Sequence, residues 1–385
     1  MALTTISSDR LATNVKTSNL GTELKKKVGQ NKNLIINGAM QVAQRGTSSS
    51  TSGYATVDRF KTVHSGTDEA PTYAQVDVAS GTTPYTSGFR KALKITNGNQ
   101  TSGAGAADFI SYAYRIEAQD IANSGWNYVS SSSFVTLSFW IKSSVAQDFK
   151  GYIRAHDGTS QAYAFATGSL SADTWTKITK TIPGNSNLTF DNNNDVGFEL
   201  VLGGFWGTDY TDNSVTEDAW AAYASGTRMK DNTSTWYTTN DATLEITGVQ
   251  LEVGSVATDF EFRSFGQELS LCQKYCYVIN MDLGDYSGFQ GQALSDANAQ
   301  VINYFPTPMR TEPTYTGSAT ACRFQSQNSS VNVNFNALSI HRTPQQRPVS
   351  VIGLQDDDVG SMSGGQSVLL MAMANSGKMT FEAEL

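Results

Sequence analysis

A chain of 385 residues exceeds what one hydrophobic core ordinarily serves, so two or three domains are expected. Charged residues make up only 16% and the net charge is −8, a balance that argues against a nucleic-acid footprint. Three cysteines supply no disulfide framework, and no run of about 18 apolar residues marks a membrane-crossing helix.

Residues 1–32 contain no aromatic residue and no apolar segment of a secretory signal, so a chain made soluble in a cytoplasm is expected. Leu20, Leu24 and Val28 are spaced i, i+4, i+8, enough for two helical turns that need a partner to persist. This stretch reads as a docking arm, or else as a disordered tail. Lys25, Lys26 and Lys27 read as a solvated face.

From Leu34 onward, short apolar or alternating runs recur between Gly, Asn and Asp turns. Leu34-Ile35-Ile36 opens the body, with a turn or bulge signal at Asn37-Gly38. Between Phe109 and Glu117, Ile110, Tyr112, Tyr114 and Ile116 share one face. Between Phe134 and Lys142, Val135, Leu137, Phe139 and Ile141 do the same. Runs at 92–96, 151–155, 163–166, 175–182 and 196–202 continue the series. Few charges, many turn residues and 10% aromatics fit a mostly β chain, best read as a jelly-roll β-sandwich. Residues 203–241 break the pattern and should hold long loop.

Leu244 to Leu251 reads as a strand kinked near Gly248. An extended arm through Phe260 and Phe262 follows. Leu269, Cys272, Gln273 and Cys276 then fall at i, i+3, i+4, i+7, the period of a short helix. Together these apolar groups exceed what one short helix can bury, so Phe260, Phe262, Leu269, Cys272 and Cys276 should pack at an oligomer axis or a domain seam. Three prolines between Phe305 and Pro313 suggest an edge or arm. Alternating runs at 331–335, 337–341, 368–374 and 380–385 form a smaller β domain. The expected division is an arm at 1–32, a sandwich at 33–263, and a linking helix with a C-terminal β domain at 264–385.

Enzyme signatures such as G-x-S-x-G, H-E-x-x-H and the P-loop are absent from the sequence. Asp191, Asn193 and Asp195 place side-chain oxygens at alternate positions and half resemble a calcium loop, although an Asn/Asp-rich hairpin turn explains them as well. No other cofactor is expected. Asp356, Asp357 and Asp358 read as a solvated tip. Trp206, Tyr210, Trp220, Trp236 and Tyr237 stand among Asn and Asp, a mixture that suits sugars, whose C–H faces stack on rings while their hydroxyls take hydrogen bonds. The competing reading is that these rings close one end of the core.

Several pieces, in order, carry a resemblance. They are residues 33–46, Val57-Asp-Arg-Phe60, Val135 to Lys142, Ile246 to Glu261, Glu268 to Tyr275, and the closing Thr380 to Leu385. Together they resemble tail-fibre proteins of bacterial and cyanobacterial viruses. The resemblance implies a virion component assembled in an infected cell, with a body like a carbohydrate-binding module and a distal β domain. It further implies a homotrimer joined to the phage tail or its adaptor through the N-terminal arm. Receptor recognition of a host surface polysaccharide, without cleavage, is the leading expectation. The alternatives are a virion connector that binds no glycan, and a host-coat depolymerase or esterase.

Overall fold

The computed structural model describes residues 32–281, 286–295, 299–317, 322–326, 332–334, 339–342, 349–356, 363–372 and 377–385. Leu20, Leu24, Val28, Lys25 to Lys27, Asp357 and Asp358 lie outside them. The protein is mostly β, a two-sheet sandwich followed by smaller C-terminal sheets.

The sandwich strands are β1 (Ser48–Ser49), β2 (Phe60–Ser65), β3 (Thr72–Asp77), β4 (Lys91–Thr96), β5 (Phe109–Glu117) and β6 (Phe134–Ser143). They continue with β7 (Asp148–Ala155), β8 (Gln161–Ser169), β9 (Thr176–Pro183), β10 (Val196–Trp206), β11 (Trp220–Ala222) and β12 (Thr243–Val253). One sheet runs β1-β3-β4-β12-β6-β9 and the other β11-β8-β7-β10-β5-β2. The paired strands are antiparallel. The core lies between the sheets and takes the expected faces, Ile110, Tyr112, Tyr114 and Ile116 from β5 and Val135, Leu137, Phe139 and Ile141 from β6. Three short helices decorate the sandwich, α1 (Thr83–Thr86), α2 (Ala118–Ala122) and α3 (Thr235–Thr238).

The kink in β12 is real. Gly248 adopts φ +64, and the register against β6 shifts between Thr247 and Gln250. The same stretch docks residues 33–40. Val249 N donates to Gly38 O at 2.9 Å, and a Cβ on Gly38 would lie 2.1 Å from Val249 O. Asn33 Oδ1 accepts from Ile35 N and Leu251 N, while Glu261 accepts from Asn33 N at 2.8 Å. Two motifs more than 200 residues apart are therefore one hydrogen-bonded unit.

Helix α4 (Phe265–Gln273) starts at a capping box, with Ser264 accepting from Gln267 N and the Gln267 side chain accepting from Ser264 N. Cys276 is not on the helix, contrary to the spacing argument. Helix geometry stops at Gln273 because the Cys276 backbone is committed to the ladder with Glu382. The remaining strands are β13 (Cys276–Met281), β14 (Tyr286–Ala293), β15 (Ala299–Met309), β16 (Thr314–Gly317) and β17 (Cys322–Ser326). After them come β18 (Asn332–Asn334), β19 (Ser339–Arg342), β20 (Val349–Asp356), β21 (Ser367–Ala372) and β22 (Gly377–Glu382). They form a three-stranded sheet, β13-β22-β16, and a seven-stranded sheet, β18-β17-β21-β14-β15-β20-β19.

Strand β15 has neighbours on both sides only over residues 299–302, and beyond Ile302 its ladder to β14 ends, so Phe305 to Met309 keep the edge character that the prolines suggest. Its ladder to β20 also jumps from Tyr304 to Met309, across Pro306 and Pro308, which have no N–H to donate.

The C-terminal stretch closes back on the sandwich. Arg45 Nε donates to Glu382 Oε1 at 2.6 Å and its Nη2 to Glu384 Oε1 at 3.1 Å. Arg59, fully buried at φ +70, pairs with Glu384 and lies 3.5 Å from the centre of the Tyr275 ring. Cys272 and Cys276 are free thiols buried beside this cluster. Phe260 and Phe262 pack on Phe89 at 4.9 and 5.1 Å, and Leu269 is half-buried.

Candidate functional site: a basic cleft on the outer face of one sheet

The side of β5 that faces away from the core carries Phe109, Ser111, Ala113 and Arg115. Its neighbours add Tyr152 and Arg154 from β7, Glu199 and Val201 from β10, and Lys61 and Val63 from β2. Together with Trp206, Tyr223 and Arg228 these residues line a cleft of about 260 Å³. Register explains the grouping. Glu199 stands opposite Arg115 on one side and Arg154 on the other, and Val201 stands between Ala113 and Tyr152.

Trp206 reaches this face through a bulge. Strict alternation from Glu199 and Val201 would turn residue 206 into the core. The register shift between Gly203 and Phe205 instead puts Phe205 in the core and Trp206 opposite Phe109 on the cleft side. A Cβ on Gly203 would sit 2.5 Å from Trp206 Cδ1, so the indole folds back over a position only glycine leaves open.

The rings do not stand free. Phe109 lies parallel to Trp206 at 4.6 Å, Tyr210 meets both edge-on, and the Arg228 guanidinium sits 4.8 Å from the centres of Trp206 and Tyr210. Trp206 is only 5% exposed, so its face is not a ready platform for a sugar. Arg154 repeats the arrangement, 3.7 Å over the Tyr223 ring, with its Nε donating to Ser160 Oγ at 2.9 Å. The aromatics thus serve as backing for arginines.

The electrostatics follow from burial and pairing. Arg115 Nε donates to Glu199 Oε1 at 2.7 Å, and its Nη1 donates to the main-chain oxygen of Leu385 at 3.0 Å. Burial alone would raise the Glu199 pKa. The His156 hydrogen bond and the Arg115 charge outweigh it and bring the carboxyl down to about 2. Lys61 is pushed below the ordinary lysine range by burial and then by Arg115, with Glu199 opposing. Burial, followed by the Glu199 charge, keeps the Tyr152 phenol protonated well above its usual range.

Of the five aromatics singled out in the sequence, Trp206 and Tyr210 belong to this face. Trp220 sits on the edge strand β11, turned toward the core, with its Nε1 donating to Pro183 O at 2.7 Å. Trp236 and Tyr237 are wholly inside the core and offer no surface to a ligand. Their hydrogen bonds, Trp236 Nε1 to Thr243 O and Tyr237 Oη to Asp108, show why buried polar rings occur there. Arg115, Tyr152, Arg154, Glu199, Tyr223 and Arg228 line the cleft without any motif that marks them in the sequence.

Asp191 N donates to Asp157 Oδ2, Asp195 N to Asn193 Oδ1, and Asn194 Nδ2 to Arg310 O. This loop therefore joins the sandwich to the C-terminal sheets. Among the described residues no group of three or more His, Cys, Asp and Glu side chains is placed to hold a metal ion. No described helix is long and apolar enough to cross a membrane.

No protein-family model and no curated protein matches the sequence. Among solved structures, the chain is similar to the enzymatically active domain of bacteriophage CBA120 tailspike protein 4, at 10% identity and TM-score 0.29. That overlay covers 58% of this chain and spans 21% of the tailspike's length. The N-terminal cellulose-binding domain of Cellulomonas fimi β-1,4-glucanase C overlays at 11% identity and TM-score 0.26, covering 56% of this chain and 99% of the domain. The CBM22-1 xylan-binding domain of Paenibacillus barcinonensis Xyn10C overlays at 11% and 0.28, covering 60% of this chain and 100% of the domain. Overlays at this level carry no inference about function.

Proposed function

We propose that the protein is a non-catalytic, glycan-binding component of a viral tail appendage that takes its ligand in the cleft over β5, β7 and β10. The observation that carries this reading is the cleft itself, where ring-backed arginines, a tyrosine hydroxyl and a carboxylate converge on one concave face. A non-catalytic role is supported by Glu199. It is the one carboxylate lining the cleft and stays ionised under His156 and Arg115, whereas glycosidase chemistry uses two carboxyl groups with one able to give up a proton. The virion setting is supported by the ordered motifs of residues 33–277. Homotrimer formation is supported by Phe262 and Phe265, which are 47% and 57% exposed at the start of α4.

The test is an array of bacterial surface polysaccharides probed with the full chain and with Tyr223→Ala. The expected result is retention by the full chain and a loss of about tenfold in the variant, the size of the cation–π contact that backs Arg154. Retention of no glycan would sink the reading, as would release of reducing ends or acetate from a retained one. Immunolabelling of intact particles separately checks the tail location.

A further inference from the structure

Resting on that reading, we infer that the glycan is acidic, a chain bearing uronate carboxylates or sulfate esters, and that Arg154 and Arg228 bind its charges. Lys61, Arg115, Arg154 and Arg228 line the cleft against one side-chain carboxylate, Glu199. Glu199 is spent on Arg115 and His156. Neither Arg154 nor Arg228 has an ion-pair partner among the described residues, although the chain as a whole is acidic at −8. The positive charge is therefore local to this face and not a property of the whole surface.

A second observation points the same way. Three buried polar atoms on the lining have no hydrogen-bond partner, Ser111 Oγ, Trp206 Nε1 and Arg228 Nε. A buried donor without a partner costs about 1–3 kcal/mol, so a cluster of them on one cleft marks where a ligand supplies acceptors. All three can donate, and a sugar carboxylate or sulfate brings acceptors only. Arg154 lies over the Tyr223 ring and Arg228 over Trp206 and Tyr210, contacts that restrict each guanidinium before a ligand arrives. Neutral sugars offer hydroxyls that meet the donors but leave the two guanidinium charges uncompensated.

The experiment uses the full chain on a panel of capsular and O-antigen polysaccharides. Each uronate-bearing member is paired with its carboxyl-reduced form and each sulfated member with its desulfated form, and neutral members are included. The expected result is that acidic members are retained and that reduction or desulfation weakens binding about tenfold or more, the worth of a charge-assisted hydrogen bond. Arg154→Gln should weaken binding of the native glycan about tenfold and narrow the gap between its native and neutralised forms, with thermal unfolding confirming that the variant is folded. The two arms distinguish carboxylate from sulfate. Equal retention of native and neutralised forms overturns the acidic-ligand inference and leaves glycan binding standing. Retention of no member overturns both.

Discussion

Glu199→Gln isolates the electrostatics of the cleft, because the amide keeps the shape of the carboxylate and removes its charge. Folding lowers the Glu199 pKa from the ordinary 4.5 to about 2, which corresponds to about 3 kcal/mol at roughly 1.36 kcal/mol per pH unit. Since the folded value is the lower one, this stabilisation is complete above pH 4.5 and is lost as the pH falls through about 2. Wild type should therefore exceed the variant by about 3 kcal/mol at pH 7, with the gap closing as pH drops from 4.5 toward 2. Urea unfolding followed by tryptophan fluorescence at pH 7, 5, 4 and 3 measures it. Asp58, raised by burial against the opposing pull of Arg45 to about 6, loses stability in the opposite direction as pH rises. It is present in both proteins, so it cancels from the difference. A gap that stays constant from pH 7 to pH 3 would show that the Arg115–Glu199–His156 cluster contributes by packing and not by charge.

Trp236→Ala should cost about 3–5 kcal/mol in unfolding free energy through the cavity it leaves, while the folded fraction binds glycan as before. Weakened binding at unchanged stability would return Trp236 to the ligand site. Glu384→Gln leaves the fully buried Arg59 without its carboxylate and should destabilise by about 3–5 kcal/mol, read as a lower thermal midpoint. Adding Arg59→Met should recover part of that loss, and no recovery would refute the pairing. Leu269→Asp should dissociate the proposed trimer in analytical ultracentrifugation. A variant that remains trimeric and equally heat-stable would remove the α4 face from the interface.

The sandwich was legible because alternation is a local signal. The core faces of β5 and β6 are the ones their spacing picks out. The cleft was half legible by the same rule. Once Ile110, Tyr112, Tyr114 and Ile116 are assigned inward, Ser111, Ala113 and Arg115 must face outward, and a strand carrying Tyr152 and Arg154 at matching parity belongs beside them. The tryptophans after Gly203 are the more conspicuous signal, and there alternation fails. Whether a ring there meets solvent or the core depends on the bulge at Gly203 and on hydrogen bonds as distant as Trp220 to Pro183. Neither shows in local pattern, and so Trp206 and Trp236, alike in their neighbourhoods, end on opposite sides of the sheet. The helical spacing through Cys276 misleads for a related reason, because the ladder from Cys276 to Glu382, far along the chain, decides that backbone.

Arg115 links the two ends of the fold. One nitrogen holds Glu199 in the cleft and another donates to the Leu385 oxygen, in the same tail whose Glu384 neutralises Arg59 and Arg45. Arg59 in turn donates to the Arg115 main-chain oxygen at 2.7 Å. The C-terminal stretch therefore supplies the Glu384 carboxylate to the buried arginines behind β5 and the Leu385 oxygen to the arginine in front of it. The division of acids between the back and the front of one strand is what leaves Arg154 and Arg228 free to choose a ligand.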